Sequence, residues 1–315
     1  MTTPPPPAIG IDFGGTSIKA GLVRGGTVLE HGNNIDTQAA SGPDQLIAEM
    51  AEEVRAIRSV HPDVKAVGVG LPGLINPHLG VVHTLSNVRG WTEIPLAKLL
   101  EKATGLPVVI ENDANAMAWG EFLFGAGQGV HTIVALTLGT GVGAGIIVED
   151  RLFRGASMTA GEIGQMSIQW EGLPGQYGNF GALEKYVGNR QIAERAAAAF
   201  AKAGKPCAEE VCTPEHLSRL ASAGDPVAIA IWQETGEMIG ACLANVAWLI
   251  NPNRFIIGGG IAKAGNLIFD PIRKALKSRV SDVISKETDI VPATLGTAAG
   301  MVGCAALGLA KAGIA

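Results

Sequence analysis

The chain has 315 residues, of which 47% are hydrophobic and 17% are charged, and this composition is typical of an ordered globular protein rather than a disordered one. A formal net charge of −5 without a Lys/Arg cluster excludes the basic footprint expected for binding to nucleic acid or to an anionic membrane surface, so we expect small-molecule partners. The length exceeds what one compact core usually holds, which predicts about two domains.

The first residues and the cysteines favour a cytoplasmic location. The segment Met1–Pro7 is proline-rich and has neither the basic nor the apolar part of a signal peptide. The best candidate for a membrane span, residues 239–250, is short and contains Asn245, which indicates a buried helix. The four cysteines form no C-x-x-C pair and are too scattered for a disulfide framework, as expected in a reducing compartment. They are Cys207, Cys212, Cys242 and Cys304.

The first third of the chain predicts a meander of three strands followed by alternating helices and strands. Apolar runs and period-two alternation indicate the strands, and apolar residues spaced three and four apart indicate the helices. The predicted elements are strands 8–13, 18–23 and 28–31, helix 45–60, strand 66–71, helix 96–104, strand 107–110 and a helix from Asp113 to Phe124.

A similar order recurs in the rest of the chain. Two strands flank a glycine turn, and helices and one further strand follow. The predicted elements are strands 132–138 and 144–148, helices 184–203 and 225–249, strand 254–257, and helices 271–280 and 296–309. We therefore predict two α/β lobes related by internal duplication, with a cleft between them. The expected boundaries are a small lobe over 1–114 and a large lobe over 115–296, with a C-terminal helix at about 297–315 packing back on the small lobe.

Glycine turns follow the first strand of each predicted lobe. Residues 12–16 read Asp-Phe-Gly-Gly-Thr and residues 139–143 read Gly-Thr-Gly-Val-Gly. Without side chains the backbone N–H groups of such hairpins can approach phosphate oxygens closely, although the first is also compatible with an ordinary Gly-Gly hairpin. The second matches a dinucleotide-binding pattern, but it continues as a strand where that motif requires a helix. No Walker-type P-loop sequence occurs.

Asp113 is the candidate catalytic residue. It lies where a predicted strand ends and a helix begins, and a cleft between the lobes would expose it there. The carboxylate is compatible with two roles, an N-cap of the helix and a general base that orients a hydroxyl group for phosphoryl transfer.

Together these motifs resemble the ROK family of sugar kinases and related repressors, from about Ile9 to the C-terminus. The resemblance implies a two-lobed actin-like, hexokinase-type ATPase fold of duplicated ribonuclease H-like domains with a central cleft. It also implies that two phosphate loops, an adenosine-side turn and a neighbouring lysine contact ATP, and that Asp12 holds Mg²⁺ directly or through water. The implied nucleotide residues are Asp12, Gly14, Gly15, Thr16, Lys19, Gly139, Thr140, Gly141, Gly258, Gly259 and Gly260.

The same resemblance implies a sugar site. An Asn-Asp pair supplies a sugar ligand and the base, two carboxylates bind sugar hydroxyls, and a glycine and a serine line the pocket. The implied residues are Gly73, Ser86, Asn112, Asp113, Glu162, Gln165 and Glu184. Gln165 replaces a histidine that reaches a sugar hydroxyl in relatives, and an amide can still donate and accept.

The zinc site of many family members is missing from this sequence. Its ligands are a histidine and three cysteines, and the corresponding positions here are Gln165, Gly175, Tyr177 and Ala182. None of these is a thiolate or imidazole ligand, so we predict a zinc-free loop. We expect packing around Leu173, Tyr177, Phe180 and Leu183 to stabilise it instead.

The function implied by the resemblance is ATP-dependent phosphorylation of a hexose at its 6-hydroxyl, with glucose as the first choice. Mannose, fructose and N-acylated aminosugars are alternatives, and a homodimer is expected. A sugar-responsive transcriptional regulator is disfavoured, because the eleven residues before Asp12 leave no room for a helix-turn-helix domain. A glycosidase using Glu162 and Glu184 would leave the phosphate loops unexplained. A sugar-binding pseudo-enzyme would not need the base.

Overall fold

The computed structural model describes residues 5–85, 88 and 90–314. Within these ranges the chain forms two mixed sheets, a small antiparallel sheet and the helices that pack on them. The strands are β1 (Ala8–Phe13), β2 (Ser17–Arg24), β3 (Thr27–His31), β4 (Ile35–Asp36), β5 (Val67–Leu71), β6 (Leu74–Asn76), β7 (Val81–Thr84), β8 (Thr92–Ile94), β9 (Val108–Asn112), β10 (Ile133–Leu138), β11 (Val142–Val148), β12 (Arg151–Phe153), β13 (Arg254–Gly258) and β14 (Asp289–Pro292). The helices are α1 (Pro43–Val60), α2 (Leu96–Thr104), α3 (Asp113–Phe124), α4 (Glu184–Val187), α5 (Asn189–Lys202), α6 (Pro214–Ser222), α7 (Pro226–Ile250), α8 (Asn266–Lys277), α9 (Asp282–Glu287) and α10 (Ala299–Lys311).

The two large sheets share one topology. The first has the order β3-β2-β1-β5-β9 with β4 added beside β2, and the second has the order β12-β11-β10-β13-β14. In each, a hairpin of antiparallel strands comes first and two strands parallel to the first strand follow. The structure therefore confirms the predicted duplication, although no repeat is visible at the level of residues.

Several element boundaries differ from the sequence prediction for local reasons. The helix expected at 184–203 is divided, because Gly188 has an extended backbone between α4 and α5. The helix expected at 271–280 begins earlier, at Asn266, and Pro271 lies inside it. Pro271 is the sixth residue of α8 and has no N–H to donate to the carbonyl oxygen of Leu267, so the helix continues past it with one backbone hydrogen bond fewer.

The sequence analysis missed the short elements. These are β4, the small sheet β6-β7-β8, the edge strands β12 and β14, and the helices α6 and α9. Strands of a few residues carry too little alternation to be recognised by periodicity, and their pairing partners stabilise them. The small sheet matters for the site because it places Thr84 and Leu85 beside Gly73.

Helices α3 and α10 pack between the two sheets. α10 contacts β1, β5 and β9 of the first sheet, and α3 contacts both α10 and the strands β10 and β11 of the second sheet. The lobe boundary near residue 115 remains a prediction, because α3 begins at Asp113 and contacts strands of both sheets.

Glycines allow the two helices to approach at backbone distance. A methyl group at Gly303 of α10 would overlap the carbonyl oxygen of Ala116, and one at Gly120 of α3 would overlap that of Ala299. On the other side of α3, a Cβ at Gly145 of β11 would lie 2.8 Å from the carbonyl oxygen of Ala114. The absence of these side chains therefore sets the distance between α3, α10 and the second sheet.

Among the helices of the described ranges, none combines the length and the apolar character needed to cross a membrane. The apolar segment 239–250 forms the C-terminal half of α7, as the sequence predicted, and most of its apolar side chains are buried.

We expect Gly303→Ala to destabilise the protein by about 1–3 kcal/mol, because the added methyl group forces α10 away from α3. Gly300→Ala in the same helix is the matched control, since its Cβ would lie no closer than 3.7 Å to any atom, the nearest being in Asp12. Urea denaturation measures both. Equal effects of the two substitutions would contradict the proposed close packing.

Candidate active site

The carboxyl ends of the parallel strands β1, β5 and β9 bring three predicted site residues to one edge of the first sheet. Asp12 pairs with Gly70 between β1 and β5, and Leu71 pairs with Asn112 between β5 and β9. Asp113 follows Asn112 as the first residue of α3. Side chains that are scattered over about 100 residues of sequence thus share one edge, where ligands of α/β folds bind.

The first glycine hairpin is braced from outside the predicted motif. The N–H of Gly14 donates to the carbonyl oxygen of Ser17 at 2.9 Å and closes the turn. The buried Thr37, which sequence analysis missed, donates its hydroxyl to the carbonyl oxygen of Gly15 at 2.9 Å and its N–H to that of Thr16 at 3.2 Å. Lys19 lies opposite Asp12 in the β1–β2 pairing, within electrostatic reach of its carboxylate.

The second glycine hairpin and the turn at 258–260 lie at the corresponding edge of the second sheet. Thr137 at the end of β10 pairs with Gly258 at the end of β13. Gly259 has φ +88° and lies so close to Leu138 that a Cβ would be 2.6 Å from its nitrogen. The hairpin itself is closed by the N–H of Gly139, which donates to the carbonyl oxygen of Gly141 at 3.0 Å. Three glycine segments predicted as phosphate or adenosine contacts are therefore placed at the matching edges of two equivalent sheets.

Asn112 caps helix α3, and this assigns one of the two roles considered for Asp113 to its neighbour. The Asn112 Oδ1 atom accepts from the N–H groups of Ala114 at 3.0 Å and Asn115 at 3.2 Å. Asp113 also accepts from Ala114, at 2.8 Å, but it occupies the first helical position rather than the cap. The helix therefore begins without requiring Asp113 as its N-cap.

The surroundings of Asp113 favour its protonated form. Burial, with a smaller contribution from the nearby carboxylates of Asp12 and Glu162, raises the pKa of its carboxyl to about 6, and the hydrogen bond from Ala114 opposes the shift. Asp12 belongs to the first sheet, whereas Glu162 follows the second hairpin in sequence. Acidic groups from both halves of the molecule thus converge on Asp113.

Glu162 and Gln165 lie on a short turn packed against β11. Gly164 in this turn is so close to Val142 that a Cβ would lie 2.6 Å from its carbonyl oxygen. Burial and the carboxylate of Glu184 raise the pKa of Glu162 above its ordinary value. The Oε1 atom of Gln165 is buried, and within the described residues nothing donates a hydrogen bond to it. A buried acceptor without a partner is what a hydroxyl-bearing ligand can satisfy.

Glu184 contacts the second hairpin directly. Its Oε2 atom accepts from the N–H of Val142 at 3.0 Å, while its charge acts on Glu162. The residue therefore connects the hairpin with the turn that carries Glu162, in addition to the sugar contact predicted for it.

Of the two predicted pocket residues, Gly73 and Ser86, the structure describes only Gly73. Gly73 has φ +108°, and a Cβ there would lie 3.1 Å from the Cα atom of Leu85, so only glycine fits this turn. Ser86 lies outside the residues that the structure describes.

Comparison with known proteins identifies the family. The family model described as "ROK family" matches residues 8–311. The chain belongs to the ROK family. A glucokinase of Streptomyces coelicolor is 38% identical over 312 residues, covering 95% of this chain and 96% of the relative. A ROK glucokinase structure from Streptomyces griseus in complex with glucose and AMPPNP is 35% identical with a TM-score of 0.80, covering 96% of this chain and 99% of that one. A ROK hexokinase from Thermus thermophilus is 28% identical with a TM-score of 0.80, covering 97% and 98%.

These comparisons confirm two sequence-based predictions, the ROK resemblance and the two-lobed actin-like fold. They do not assign roles to individual residues of this chain, so the site residues remain proposals.

The loop at the position of the ROK zinc motif is organised differently from our prediction. Leu183 is fully buried, but Leu173, Tyr177 and Phe180 are 51%, 74% and 51% exposed, so the predicted packing around these three is wrong. Backbone hydrogen bonds hold the loop instead, among them Gly175 N–H to Asn179 O at 2.7 Å and Gly181 N–H to Leu173 O at 2.8 Å. A short segment with many glycines satisfies its own polar groups more readily than it buries side chains.

Two side chains supply further links in this loop. The hydroxyl of Tyr186 accepts from the N–H of Leu173 at 2.8 Å and donates to Gln169 Oε1 at 3.3 Å. Asn179 donates its amide to the carbonyl oxygen of Gln165 at 2.9 Å, which ties the loop to the candidate site. In the part of the chain that the structure describes, no three His, Cys, Asp or Glu side chains cluster as a metal site, and a zinc-free loop stays a prediction.

We expect Tyr186→Phe to loosen the loop by about 0.5–1.5 kcal/mol, because two hydrogen bonds to one hydroxyl are lost. Hydrogen–deuterium exchange over residues 168–182 measures this opening. Tyr177→Phe is the control, since this exposed ring can lose its hydroxyl without effect. Unchanged protection in the Tyr186 variant would show that the hydroxyl does not hold the loop.

We expect Asp113→Asn to stabilise the protein at pH 7.5, by at most about 3 kcal/mol. The raised pKa means that the folded state binds more protons than the unfolded state between pH 3.8 and about 6. The wild type therefore loses stability as the pH rises through this window, and the variant does not. The difference in Tm between them should grow from pH 4.5 to 7.5.

Asp225→Asn is the control, because removing this charge should lower the Tm where removing the charge of Asp113 raises it. Hydrogen bonds from the N–H groups of Ala228 and Val227 and the charge of Lys205 lower the pKa of Asp225, so its charge stabilises the fold above the ordinary pKa. Asparagine keeps the N-cap but not the charge. A Tm difference for Asp113→Asn that does not depend on pH would rule out the proposed environment.

Proposed function

We propose that this protein transfers the γ-phosphoryl group of ATP to the 6-hydroxyl of a hexose, with glucose as the preferred substrate. Similarity to glucokinases extends over nearly the whole chain. The structural observation that carries the proposal is the position of Asp113, at the carboxyl ends of the parallel strands and within electrostatic reach of both Asp12 and Glu162. A carboxylate with a pKa of about 6 is largely ionised at neutral pH and still basic enough to accept a hydroxyl proton.

The glycine segments are proposed to bind ATP. The hairpins at 14–16 and 139–141 offer backbone N–H groups to phosphate oxygens, and the turn at 258–260 contacts the adenosine side. Lys19 lies near Asp12, where its charge can also act on a phosphate. In support of this arrangement, the two hairpins leave equivalent edges of two sheets with the same topology.

The sugar is proposed to bind between Asn112, Glu162, Gln165 and Glu184, with Gly73 and Ser86 lining the pocket. Because Asn112 uses its side-chain oxygen to cap α3, its amide nitrogen remains to donate to a hydroxyl. Carboxylates accept from sugar hydroxyls, and the buried Oε1 atom of Gln165 lacks a donor within the described residues. The set thus combines acceptors and donors, as recognition of a polyhydroxyl compound requires.

The reaction follows from this arrangement. Asp113 accepts the proton of the 6-hydroxyl, whose oxygen forms a bond to the γ-phosphorus of ATP. The bond from that phosphorus to the bridging oxygen breaks, and ADP leaves with the electron pair. Because the transition state is loose, positioning and charge stabilisation contribute more than the strength of the base.

Asp12 is proposed to hold Mg²⁺, directly or through water. Burial raises the pKa of the Asp12 carboxyl, with partial compensation by Lys19, so a cation beside it would be favourable. Mg²⁺ is usually held by one or two carboxylates together with substrate phosphates and water, which this site offers. When bound, the ion neutralises phosphate charge.

Gln165 replaces a histidine that reaches a sugar hydroxyl in relatives, and this replacement can change which hexose is preferred. An amide does not titrate, whereas a histidine at this position changes its hydrogen bonding near neutral pH. Mannose, fructose and N-acylated aminosugars are the alternative substrates, and none is favoured over glucose by an observation on this chain. The homodimer and the cytoplasmic location stay predictions.

The proposal is tested by measuring ADP release with ATP and a panel of glucose, mannose, fructose and N-acetylglucosamine. Glucose should give the highest kcat/KM, and a parallel series with polyphosphate defines the donor. No sugar-dependent ADP release from folded protein would refute the proposed function.

We expect Asp113→Asn to lower kcat by roughly 10²–10⁴-fold, because the hydroxyl loses its proton acceptor. Glucose binding, followed by isothermal titration calorimetry, should change little. In the wild type kcat/KM should fall below pH 6 as the carboxyl becomes protonated. Near-normal turnover in the variant would show that another group serves as the base.

A further inference from the structure

A buried ion pair joins the two sheets two residues before Asp113. Glu111 lies on β9 of the first sheet, and Arg154 follows β12 at the edge of the second sheet. The Nε and Nη2 atoms of Arg154 both lie 2.7 Å from Glu111 Oε2. The Glu111 side chain is 2% exposed and the Arg154 side chain is 22% exposed, so the pair is largely removed from water.

Glu111 organises the residues that carry the proposed base. Its Oε1 atom accepts from the N–H of Asn112 at 3.0 Å and from the side-chain amide of Asn115 at 3.1 Å. One carboxylate oxygen therefore fixes the start of α3, next to Asp113, while the other binds the guanidinium of Arg154.

Arg154 holds the segment that leads to Glu162. Its carbonyl oxygen accepts from the N–H of Ala160 at 3.0 Å and closes a loop two residues before Glu162. A single residue thus contacts the base-bearing strand through its side chain and the sugar-site segment through its backbone.

The charges around Asp113 explain why its position needs support. The carboxylates of Asp12 and Glu162 act on Asp113, and like charges repel. A planar guanidinium that donates from two nitrogens imposes a fixed orientation on its carboxylate partner. Losing this cation leaves Glu111 buried without a counter-charge, which strongly favours rearrangement.

We propose that Arg154 is a positioning residue, which fixes Asp113 and Glu162 relative to each other through Glu111 and contacts neither the sugar nor the nucleotide. This inference rests on the proposed hexose kinase function. It predicts a defect confined to the sugar side of the reaction, because in the described part of the chain neither Glu111 nor Arg154 hydrogen-bonds to a glycine hairpin through its side chain.

The test is Arg154→Gln. We expect kcat/KM for glucose to fall on the order of 100-fold, since a displacement of about 1 Å can cost this much. The KM for glucose should rise, and that for ATP should stay within about twofold. If Arg154 only stabilised the fold, Arg154→Gln would reduce the fraction of active enzyme and hence kcat, and both KM values would stay unchanged.

Arg154→Lys keeps the charge but not the two-nitrogen geometry, so it remains informative if the glutamine variant does not fold. We expect an intermediate loss of about tenfold in kcat/KM for glucose. The matched control is Arg195→Gln. The Arg195 side chain, on α5, is 21% exposed and pairs with Glu234 on α7. This variant should keep both KM values while lowering Tm.

Hydrogen–deuterium exchange on the free proteins separates the inference from the kinase proposal. Arg154→Gln should lose protection over 112–116 and 155–163, whereas Arg195→Gln should not. Wild-type glucose kinetics in both Arg154 variants, or equal rises in both KM values, would overturn the inference. If the wild type phosphorylates no hexose, the proposed function fails, and the exchange comparison alone decides whether Arg154 positions these segments.

Discussion

The site depends on the backbone-to-backbone approach of α3 and α10 between the two sheets. Gly120 and Gly303 allow these helices to touch, and Gly145 lets α3 rest on β11. Because backbone meets backbone at these glycines, no side chain can rearrange there, and the first residue of α3 has a defined position relative to both sheets. Asp113 is this residue, so the packing of two helices determines where the proposed base lies.

This arrangement brings buried acidic side chains close together, which destabilises their charged forms. Burial raises the pKa of Asp12, Asp113 and Glu162, and the charges of Asp12 and Glu162 add to the shift at Asp113. Neutral side chains would be more stable here, but they could not accept a proton or bind a cation. Destabilising charge at such a site is typical of function. The charge of Lys19 near Asp12 and the hydrogen bond from Ala114 to Asp113 offset part of it.

Much of the fold and part of the site could be predicted from local sequence. Periodicity predicts long helices such as α1 and α7, and the shorter α2 ends where Gly105 takes the left-handed conformation. The short strands could not be recognised, because their stability comes from pairing partners distant in sequence. The predicted packing in the loop at 166–182 is wrong for a related reason. Its apolar residues favour packing when read alone, whereas its backbone groups bond to one another and leave Leu173, Tyr177 and Phe180 exposed.

The sequence by itself determined the glycine hairpins, the Asn-Asp pair before α3 and the missing zinc ligands, because each depends on residue types at neighbouring positions. Only the tertiary structure decided that Asn112 rather than Asp113 caps the helix, that Glu184 contacts the second hairpin, and that Glu111 meets Arg154 from 43 residues away. These contacts join segments whose distance in space is set by the packing of the two lobes. No local pattern of residues encodes that distance.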